Sequence, residues 1–372
     1  MKKAAIWNGH FDNLGDQLMM ISIIKRLKKR YGDKLQILIP EKKKLGAEVL
    51  NQNCFFIYKY KKSLRQLHRW MWQRMSGVFF SDIDIIFDVN GYWLGDPWPA
   101  KNMEYINDKL ARFKSESSLL ILMPKTFGPF TNTRNVDTLR RIYEMADLVF
   151  SRDSESYNCL VQLFGNEPKH QLATDFTGSV TVNDHVGTEA RASRPDTVSI
   201  IPNCRMVDKF GLSTGEYVNI LQHVIDNSKK NSYQVRVVLQ ELDEDMDILR
   251  LLTGYDEMVM ETNPLKTKQI IGQSRFVFSS RYHGVVNALS QGVPCLTFGW
   301  AHKYRHILED YEVSDLLVEK KDMEHIIQKC QYVITEYDNL KIRTNKGAQK
   351  VKDRENRMWD EIFRLIDHKI IP

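Results

Sequence analysis

The stretch FVFSSRYHGVVNALSQGVPCLTFGWAHKYRH, residues 276–306, decides the fold that the sequence predicts. Its apolar run at 276–278 predicts a buried strand, and the composition of 285–291 predicts a helix after it. Gly292 and Pro294 end that helix, because glycine is a favoured C-terminal cap and proline cannot continue a helix. The stretch therefore begins as a strand that is followed closely by a helix.

A second apolar run at 295–298 predicts another strand, which leads into a loop at 299–303. This order is typical of the crossover unit of parallel sheets, in which ligands bind at the carboxyl ends of the strands. Arg281, His283 and Lys303 follow those ends, so we expect them to face one crevice. Two permanent cations and a titratable imidazole suit a small ligand with several negative charges.

The motif R-x-H-x-x-x-x-A-L-x-x-G-x-P, followed by a segment with H-K-Y, resembles the signature of the polysaccharide pyruvyl transferase family. It is carried here by Arg281, His283, Ala288, Leu289, Gly292, Pro294, His302, Lys303 and Tyr304. The resemblance implies an α/β fold with two Rossmann-like domains in a GT-B-type arrangement. It also implies an enzyme that moves a pyruvyl group from phosphoenolpyruvate to sugar hydroxyls.

The start of the chain has a strand at 4–7, a polar loop with glycines, and a helix from about 17 to 31, which is a Rossmann-type opening. Gly9, Asn13, Gly15 and Asp16 resemble the G-x-x-x-N-x-G-D opening of the same family. Asn13 and Asp16 are therefore candidates for the acceptor site. The alternative for Asp16 is a helix cap, since aspartate is a favoured cap residue.

Polar residues also follow a strand predicted at 84–89, and they include Asn90 and Tyr92. Tyr92 and Trp93 offer aromatic faces to a sugar ring, or they pack without binding anything. Lys125 follows the strand predicted at 119–123 and stands where the family often has glutamine. Asn90, Tyr92 and Lys125 are further acceptor-site candidates.

The strand predicted at 147–150 ends at an R-D-x-x-S element formed by Arg152, Asp153 and Ser156. By the resemblance, Arg152 is an anion clamp that reaches across the cleft between the domains. The alternative is a pair of Arg152 with Asp153 that braces the turn.

In the second half, Asn203 and Arg205 follow a strand predicted at 198–201 and are second-rank site candidates, as is His302. The acidic stretch 241–247 lies on a predicted helix, where carboxylates on successive turns are more often solvated than bound to a metal. We expect no metal site and no tightly bound cofactor.

The length of 372 residues favours two domains rather than one core. The polar stretch 183–196 predicts a linker between a first domain at 1–185, on the acceptor side, and a second at 186–342, on the phosphoenolpyruvate side. A last helix at 343–372 is expected to cross back to the first domain. The side chains expected to face that domain are Met358, Ile362 and Leu365.

The five cysteines are scattered without a CxxC pair, which argues against disulfides and zinc and for the reducing cytoplasm. No uncharged apolar run approaches the roughly 20 residues of a membrane span. The net charge of +6 equals that of residues 49–81 alone. A helix is predicted there, and it packs on the core with a solvated basic face. The alternative is that residues 59–80 contact an anionic membrane, which would suit a lipid-linked acceptor at the inner face of the membrane.

The residue types account for ketal formation from phosphoenolpyruvate on two hydroxyls of one sugar, in an exopolysaccharide, a capsule or a lipid-linked precursor. The substrate carries about three negative charges, which Arg152, Arg281 and Lys303 would bind next to Tyr282. Arg281 and His283 are the predicted catalytic residues, because an imidazole with a reference pKa of about 6.5 transfers protons near neutral pH. His283 acts either as acid on the enol or as base on the sugar.

Three alternatives remain open at this point. A GT-B-type glycosyltransferase would share the fold and use a nucleotide sugar, but the E-x7-E arrangement common in retaining enzymes is missing around 276–306. A non-catalytic glycan- or lipid-carrier-binding protein would share the scaffold, although Arg281, His283 and Lys303 argue against it. Nucleic-acid binding through the basic stretch has no motif to support it, and we do not expect it.

Overall fold

The computed structural model describes residues 1–9, 13–39, 54–56, 83–180, 196–299 and 302–370. The strands in these ranges are β1 (Lys2–Trp7), β2 (Leu35–Ile39), β3 (Cys54–Phe56), β4 (Ile85–Asp88), β5 (Leu119–Lys125), β6 (Leu148–Ser151), β7 (His170–Leu172), β8 (Thr197–Ile201), β9 (Gln234–Val238), β10 (Glu257–Val259), β11 (Phe276–Ser279) and β12 (Cys295–Thr297).

The helices in the same ranges are α1 (Leu14–Tyr31), α2 (Ala100–Phe113), α3 (Thr133–Met145), α4 (Ser154–Phe164), α5 (Arg205–Asp208), α6 (Thr214–Lys230), α7 (Leu242–Leu249), α8 (Pro264–Gly272), α9 (Tyr282–Leu289), α10 (His302–Asp310), α11 (Met323–Thr335) and α12 (Tyr337–Lys369). Two short 3-10 helices lie at Gly32–Lys34 and Ser314–Leu316. None of the helices described is long and apolar enough to cross a membrane.

The described strands form two wholly parallel sheets, with the orders β3-β2-β1-β4-β5-β6-β7 and β10-β9-β8-β11-β12. In the first sheet β1 pairs with both β2 and β4, and in the second β8 pairs with both β9 and β11. Ligands of open parallel sheets bind where the strand order reverses, outside the carboxyl ends. The expected binding regions therefore lie at the ends of β1 and β4 and at the ends of β8 and β11.

The chain divides into two compact units. Unit 1 comprises Met1–Phe11, Met19–Thr174 and Asn356–Pro372, and unit 2 comprises Asp12–Leu18 and Asp175–Glu355. The boundaries predicted from the sequence lie after residues 185 and 342, and they stay a prediction. The segment after β7 is grouped with unit 2 because it packs there, as the contacts of Lys268 below show.

The central strands β4, β5, β6, β8 and β11 are buried along their whole length, as expected for parallel sheets that helices cover on both faces. In unit 1, α2 buries Met103, Ile106, Leu110 and Phe113, which recur at the spacing of one helix face. In unit 2, the core surrounds β8, β11 and α9. The strand ends are thus held on rigid cores, and polar side chains beyond them have fixed positions.

The crossover predicted from residues 276–306 is present as β11, α9 and β12. Gly292 adopts a φ of +70°, and its N–H donates to the carbonyl of Leu289 at 3.0 Å, just beyond the end of α9. This left-handed conformation suits glycine, which has no Cβ to clash. The predicted role of Gly292 in ending the helix is therefore confirmed.

Two boundaries of this region were predicted wrongly. Helix α9 begins at Tyr282 rather than at 285, because Arg281 takes the extended N-cap conformation directly after β11. Helix α10 begins at His302, inside the predicted loop 299–303. Its first turn is held by Tyr304, whose buried hydroxyl donates to the carbonyl of Ser280 at 2.8 Å.

Candidate functional site

In unit 2, His283 lies in the first turn of α9, and its side chain is 15% exposed. Its Nε2 lies 3.9 Å from Oδ2 of Asp175, a buried carboxylate that follows β7. The other side of the ring packs against Gly15 in the first turn of α1. A Cβ on Gly15 would lie only 1.9 Å from Nδ1 of His283, so this position requires glycine.

Arg281, at the N-cap of α9, is held by two carboxylates. Its Nη1 lies 2.6 Å from Glu241, its Nη2 donates to Asp245 at 2.6 Å, and its Nε donates to the carbonyl of Pro202 at 3.3 Å. Burial lowers the pKa of Arg281, but the two carboxylates raise it further, so the net shift is upward and the guanidinium stays charged.

The carboxylates of Glu241 and Asp245 correct the sequence analysis, which expects the acidic stretch 241–247 to be solvated. Asp245 is fully buried, and its Oδ1 also accepts from the N–H of Cys204 at 3.0 Å. These partners are not predicted from the sequence, because the stretch resembles one solvated helix face. The signal that reveals Glu241 is its place three residues after the end of β9.

Asn13 joins this network to the first turn of α1. Its Nδ2 donates to Glu241 at 2.6 Å, and its Oδ1 accepts from the N–H groups of Gly15 and Asp16 at 2.8 and 3.1 Å. Asn13, and not Asp16, is therefore the residue whose side chain caps α1. The chain of contacts from Asn13 through Glu241 to Arg281 fixes Gly15 beside His283.

Lys303, on α10, lies near the same place in unit 2. Its Nζ is 5.4 Å from the ring centre of Tyr282 and 5.6 Å from that of Tyr304. The ring of Tyr282 is in turn 5.5 Å from the ring of His283, at an interplanar angle of 86°. The structure thus brings both His283 and Lys303 next to Tyr282, whereas the ring of His302 lies 5.8 Å from that of His306.

Asn203 and Arg205 differ in their surroundings. Asn203 is buried, and its Nδ2 donates to the carbonyl of Ser280 at 2.9 Å. Its Oδ1 accepts from the N–H of Arg205 at 3.1 Å. The guanidinium of Arg205 lies 3.3 Å from Asp208 at the surface. Asn203 therefore ties the end of β8 to the end of β11, and Arg205 begins α5.

In unit 1, Lys125 forms a wholly buried ion pair with Asp88 at the end of β4. Asp88 also accepts from Nδ2 of Asn8 at 2.6 Å, where Asn8 has a φ of +63° at the end of β1. Burial lowers the pKa of Lys125, and Asp88 opposes that shift. The bond from Asn8 to Asp88 links the ends of β1 and β4, at which the order of the first sheet reverses, and the ion pair with Lys125 adds the end of β5.

Arg152 is also buried in unit 1. Its Nη2 donates to Oγ1 of Thr126 at 2.7 Å and to the carbonyl of Gly91 at 3.4 Å. Asp153 caps α4 by accepting from the N–H of Ser156 at 2.7 Å. Arg152 belongs to unit 1 and Arg281 to unit 2, and the joint binding of one anion by both stays a prediction.

The aromatic residues after β4 form a cluster in unit 1. Trp93 stacks on Trp98 with a centroid distance of 5.6 Å and an interplanar angle of 15°, and Tyr92 meets Trp98 edge to face. Burial raises the pKa of Tyr92. Oδ1 of Asn90 accepts from the N–H of Trp93 at 3.0 Å, so Asn90 shapes this turn.

Comparison with known proteins matches most of the chain to one enzyme family. The model of the polysaccharide pyruvyl transferase family matches residues 13–302. This range contains Arg152, Arg281 and His283, whereas Lys303 follows its last residue. A search of curated proteins finds no significant match.

Solved structures resemble the chain over nearly its whole length. UDP-GlcNAc 2-epimerase from Neisseria meningitidis, bound to UDP-GlcNAc, is 11% identical, with a TM-score of 0.62 and coverage of 98% of this chain and 100% of that one. MnaA of S. aureus with UDP is 11% identical, with a TM-score of 0.61 and coverage of 100% and 98%. Alr3699/HepE of Anabaena with UDP and glucose is 12% identical, with a TM-score of 0.58 and coverage of 99% of each chain.

At these identities the likeness concerns the fold alone. Two parallel sheets covered by helices, and neighbours of this kind, confirm the predicted fold class, α/β with two Rossmann-like domains of the GT-B type.

Proposed function

The chain belongs to the polysaccharide pyruvyl transferase family, and from that premise we propose that it transfers a pyruvyl group from phosphoenolpyruvate to two hydroxyls of one sugar. The products are a cyclic pyruvate ketal and inorganic phosphate. The observation that carries the proposal is the cluster of His283, Tyr282 and Lys303 in unit 2, of which His283 and Tyr282 lie inside the range that the family model matches.

In this proposal His283 protonates C3 of the enol, which makes C2 electrophilic. The first sugar hydroxyl attacks C2, the C2–O bond to phosphate breaks, and the second hydroxyl closes the ring. One hydroxyl proton leaves with the phosphate and the other returns to the imidazole, so protons balance over one turnover. An imidazole suits both transfers because its reference pKa of about 6.5 lies near neutral pH.

Lys303 supplies positive charge for the phosphate in the same proposal. An ammonium group is a compact donor of three hydrogen bonds and binds phosphate as a point charge. Lys303 and His283 both lie within 6 Å of the ring of Tyr282, which supports a substrate that touches all three side chains.

We assign Arg281 a supporting role in the described arrangement. Its charge is compensated by Glu241 and Asp245, so it has little net attraction left for an anion there. It carries α9, and hence His283, on a rigid set of contacts. Direct binding of the substrate by Arg281 requires that one of the two carboxylates gives way.

For the acceptor we propose that unit 1 contributes the sugar-binding side, with the aromatic cluster after β4 as its platform. The stacked pair of Trp93 and Trp98 and the adjoining Tyr92 present flat apolar faces, which pack well against sugar rings.

A lipid-linked acceptor would bring the protein to a membrane surface. The basic segment 59–80, which lies outside the described residues, is the proposed contact with anionic lipid. Co-sedimentation with anionic vesicles at low salt, and not with neutral vesicles, is the expected result. Failure to sediment with either vesicle rejects the membrane contact.

The experiment that tests the proposed function is incubation with phosphoenolpyruvate and a panel of free and lipid-linked sugars, read by mass spectrometry. We expect an acceptor that gains the mass of one pyruvate less one water, together with an equimolar release of phosphate. Phosphoenolpyruvate that stays intact with every acceptor argues against the proposal.

A second candidate is transfer from a nucleotide sugar, because the solved structures of similar fold named above were determined with UDP or a UDP-sugar. A thermal-shift series with phosphoenolpyruvate, UDP and UDP-sugars separates the two. Stabilisation by phosphoenolpyruvate alone supports pyruvyl transfer, and stabilisation by UDP alone supports the second candidate.

A further inference from the structure

We propose that Asp175 is the carboxylate partner of His283, and that it positions the imidazole and stabilises its protonated form. The proposal rests on the proposed function for the role of His283 in catalysis, but the pairing itself concerns only contacts within unit 2. Oδ2 of Asp175 and Nε2 of His283 are 3.9 Å apart, which is within the range of an ion pair once the imidazole is protonated.

The carboxylate of Asp175 has a fixed orientation. Its Oδ1 accepts from the N–H of Thr177 at 2.9 Å and from the hydroxyl of Thr177 at 2.5 Å. These two bonds form a local turn at Oδ1, and Oδ2 is the oxygen that lies 3.9 Å from His283. Asp175 is 2% exposed, so water competes little for this oxygen.

Two buried charged residues hold the segment that carries Asp175. Nζ of Lys268, on α8, donates to the carbonyls of Thr177 and Gly178 at 2.8 and 2.6 Å. Glu355, on α12, accepts from the N–H of Ser179 at 3.2 Å and from its hydroxyl at 2.5 Å. A segment that buried groups hold at successive residues is rigid, so the carboxylate of Asp175 keeps a fixed position.

The elements around His283 carry other charged groups that bear on its titration. Arg281 precedes it on the chain, but its charge faces Glu241 and Asp245. Lys303 lies beyond the ring of Tyr282, and Asp16 is in the first turn of α1. Asp175 has an oxygen at ion-pair distance from the ring, so its charge favours the imidazolium.

This arrangement has a chemical consequence. The carboxylate oxygen 3.9 Å from Nε2 is beyond hydrogen-bond distance, so it acts on the ring through its charge, which favours the protonated imidazole. The imidazolium formed when His283 takes a sugar proton is stabilised by the same charge. Asp175 is thus a positioning residue, because it acts on the substrate through His283.

The test is a pH titration of the histidine signals by NMR in wild type and Asp175→Asn, with His283 assigned from His283→Gln. Asparagine keeps an oxygen for Thr177 but removes the charge, so we expect the pKa of His283 to fall by about one unit. The matched control is Asp256→Asn, which removes a carboxylate of the same unit that binds Lys229 and should leave the pKa of His283 unchanged.

An unchanged pKa of His283 in folded Asp175→Asn overturns the pairing. If circular dichroism shows that this variant is unfolded, Asp175→Ser takes its place, since serine also keeps a short acceptor, and the same shift is expected. The pH dependence of pyruvyl transfer should move with the NMR pKa. If Asp175→Asn lowers the rate of pyruvyl transfer but does not shift its pH dependence, the role of Asp175 is merely structural. That result also overturns the proposal.

The two proposals fail separately. Full pyruvyl transfer by His283→Gln removes His283 from the chemistry, while the NMR shift in Asp175→Asn still supports the pairing. If His283→Gln is inactive and the pKa of His283 is unchanged in Asp175→Asn, the pairing is overturned and the proposed function stays intact.

Discussion

Replacing Gly15 with alanine puts a methyl group where the ring of His283 lies. The new Cβ would be 1.9 Å from Nδ1 and 2.4 Å from Cγ of that ring, whereas ordinary contact begins at 3.4 Å. The ring must therefore move by about 1.5 Å, or the first turn of α1 must do so. Asn13 and Glu241 hold that turn, so we expect the ring to move.

A shift of this size takes the imidazole out of reach of its partners. Misplacing a catalytic group by about 1 Å costs on the order of 100-fold in rate, which corresponds to about 2.7 kcal/mol in the barrier. The helix itself should not lose stability through the substitution, because alanine is favoured over glycine by up to about 1 kcal/mol in helices. We therefore expect a large loss of activity beside a modest change in stability.

The assay is the rate of phosphate release from phosphoenolpyruvate with a sugar acceptor, measured beside the thermal midpoint. The matched control is Gly215→Ala, because Gly215 is likewise the second residue of its helix, α6, and no neighbouring side chain lies within 4 Å of the place that the new methyl group would take. This control should keep full activity. Equal activity of wild type, Gly15→Ala and Gly215→Ala would refute the described packing of His283.

Further predictions concern charged groups inside each unit. Lys125→Met leaves the buried carboxylate of Asp88 without its cation. We therefore expect urea unfolding to show that the free energy of unfolding falls by about 3–5 kcal/mol, and a fall below about 1 kcal/mol would contradict the buried pair. Burial raises the pKa of Asp96, but hydrogen bonds from residues 131–135 lower it below its ordinary 3.8. The stabilisation that the ionised Asp96 gives to the folded state is complete above that pH and is lost as the pH falls. The difference in Tm between wild type and Asp96→Asn should therefore shrink below about pH 4. A difference in Tm that stays constant would be contrary evidence. Glu241→Gln removes one of the negative charges at Arg281, and we expect the free energy of unfolding in urea to fall by about 1–3 kcal/mol. An unchanged free energy of unfolding would argue against that contact.

The residues themselves predict much of the fold. Apolar runs bounded by polar and glycine-rich turns identify β1, β4, β5, β6, β8, β11 and β12 close to their observed bounds. These strands are nearly continuous apolar segments, which is the pattern of parallel sheets covered on both faces. The short edge strands β7 and β10 have three residues each, and a segment of that length leaves no periodic signal.

The candidate site is predicted less completely, because partners are set by the three-dimensional register of strand ends. The sequence identifies Arg281 and His283 as neighbours of a strand end, but it gives no sign that Asp245 neutralises Arg281. It also cannot tell that Lys125 meets Asp88, 37 residues away. Asp88 ends β4 and Asp175 follows β7 by three residues, so a carboxylate close to a strand end was the signal available.

The account depends most on His283 as the proton donor to phosphoenolpyruvate. The direct measurement is turnover by His283→Gln beside its binding of phosphoenolpyruvate, the first by phosphate release and the second by calorimetry. We predict a loss of turnover of about 100-fold or more while phosphoenolpyruvate still binds. Turnover close to that of wild type would contradict the account.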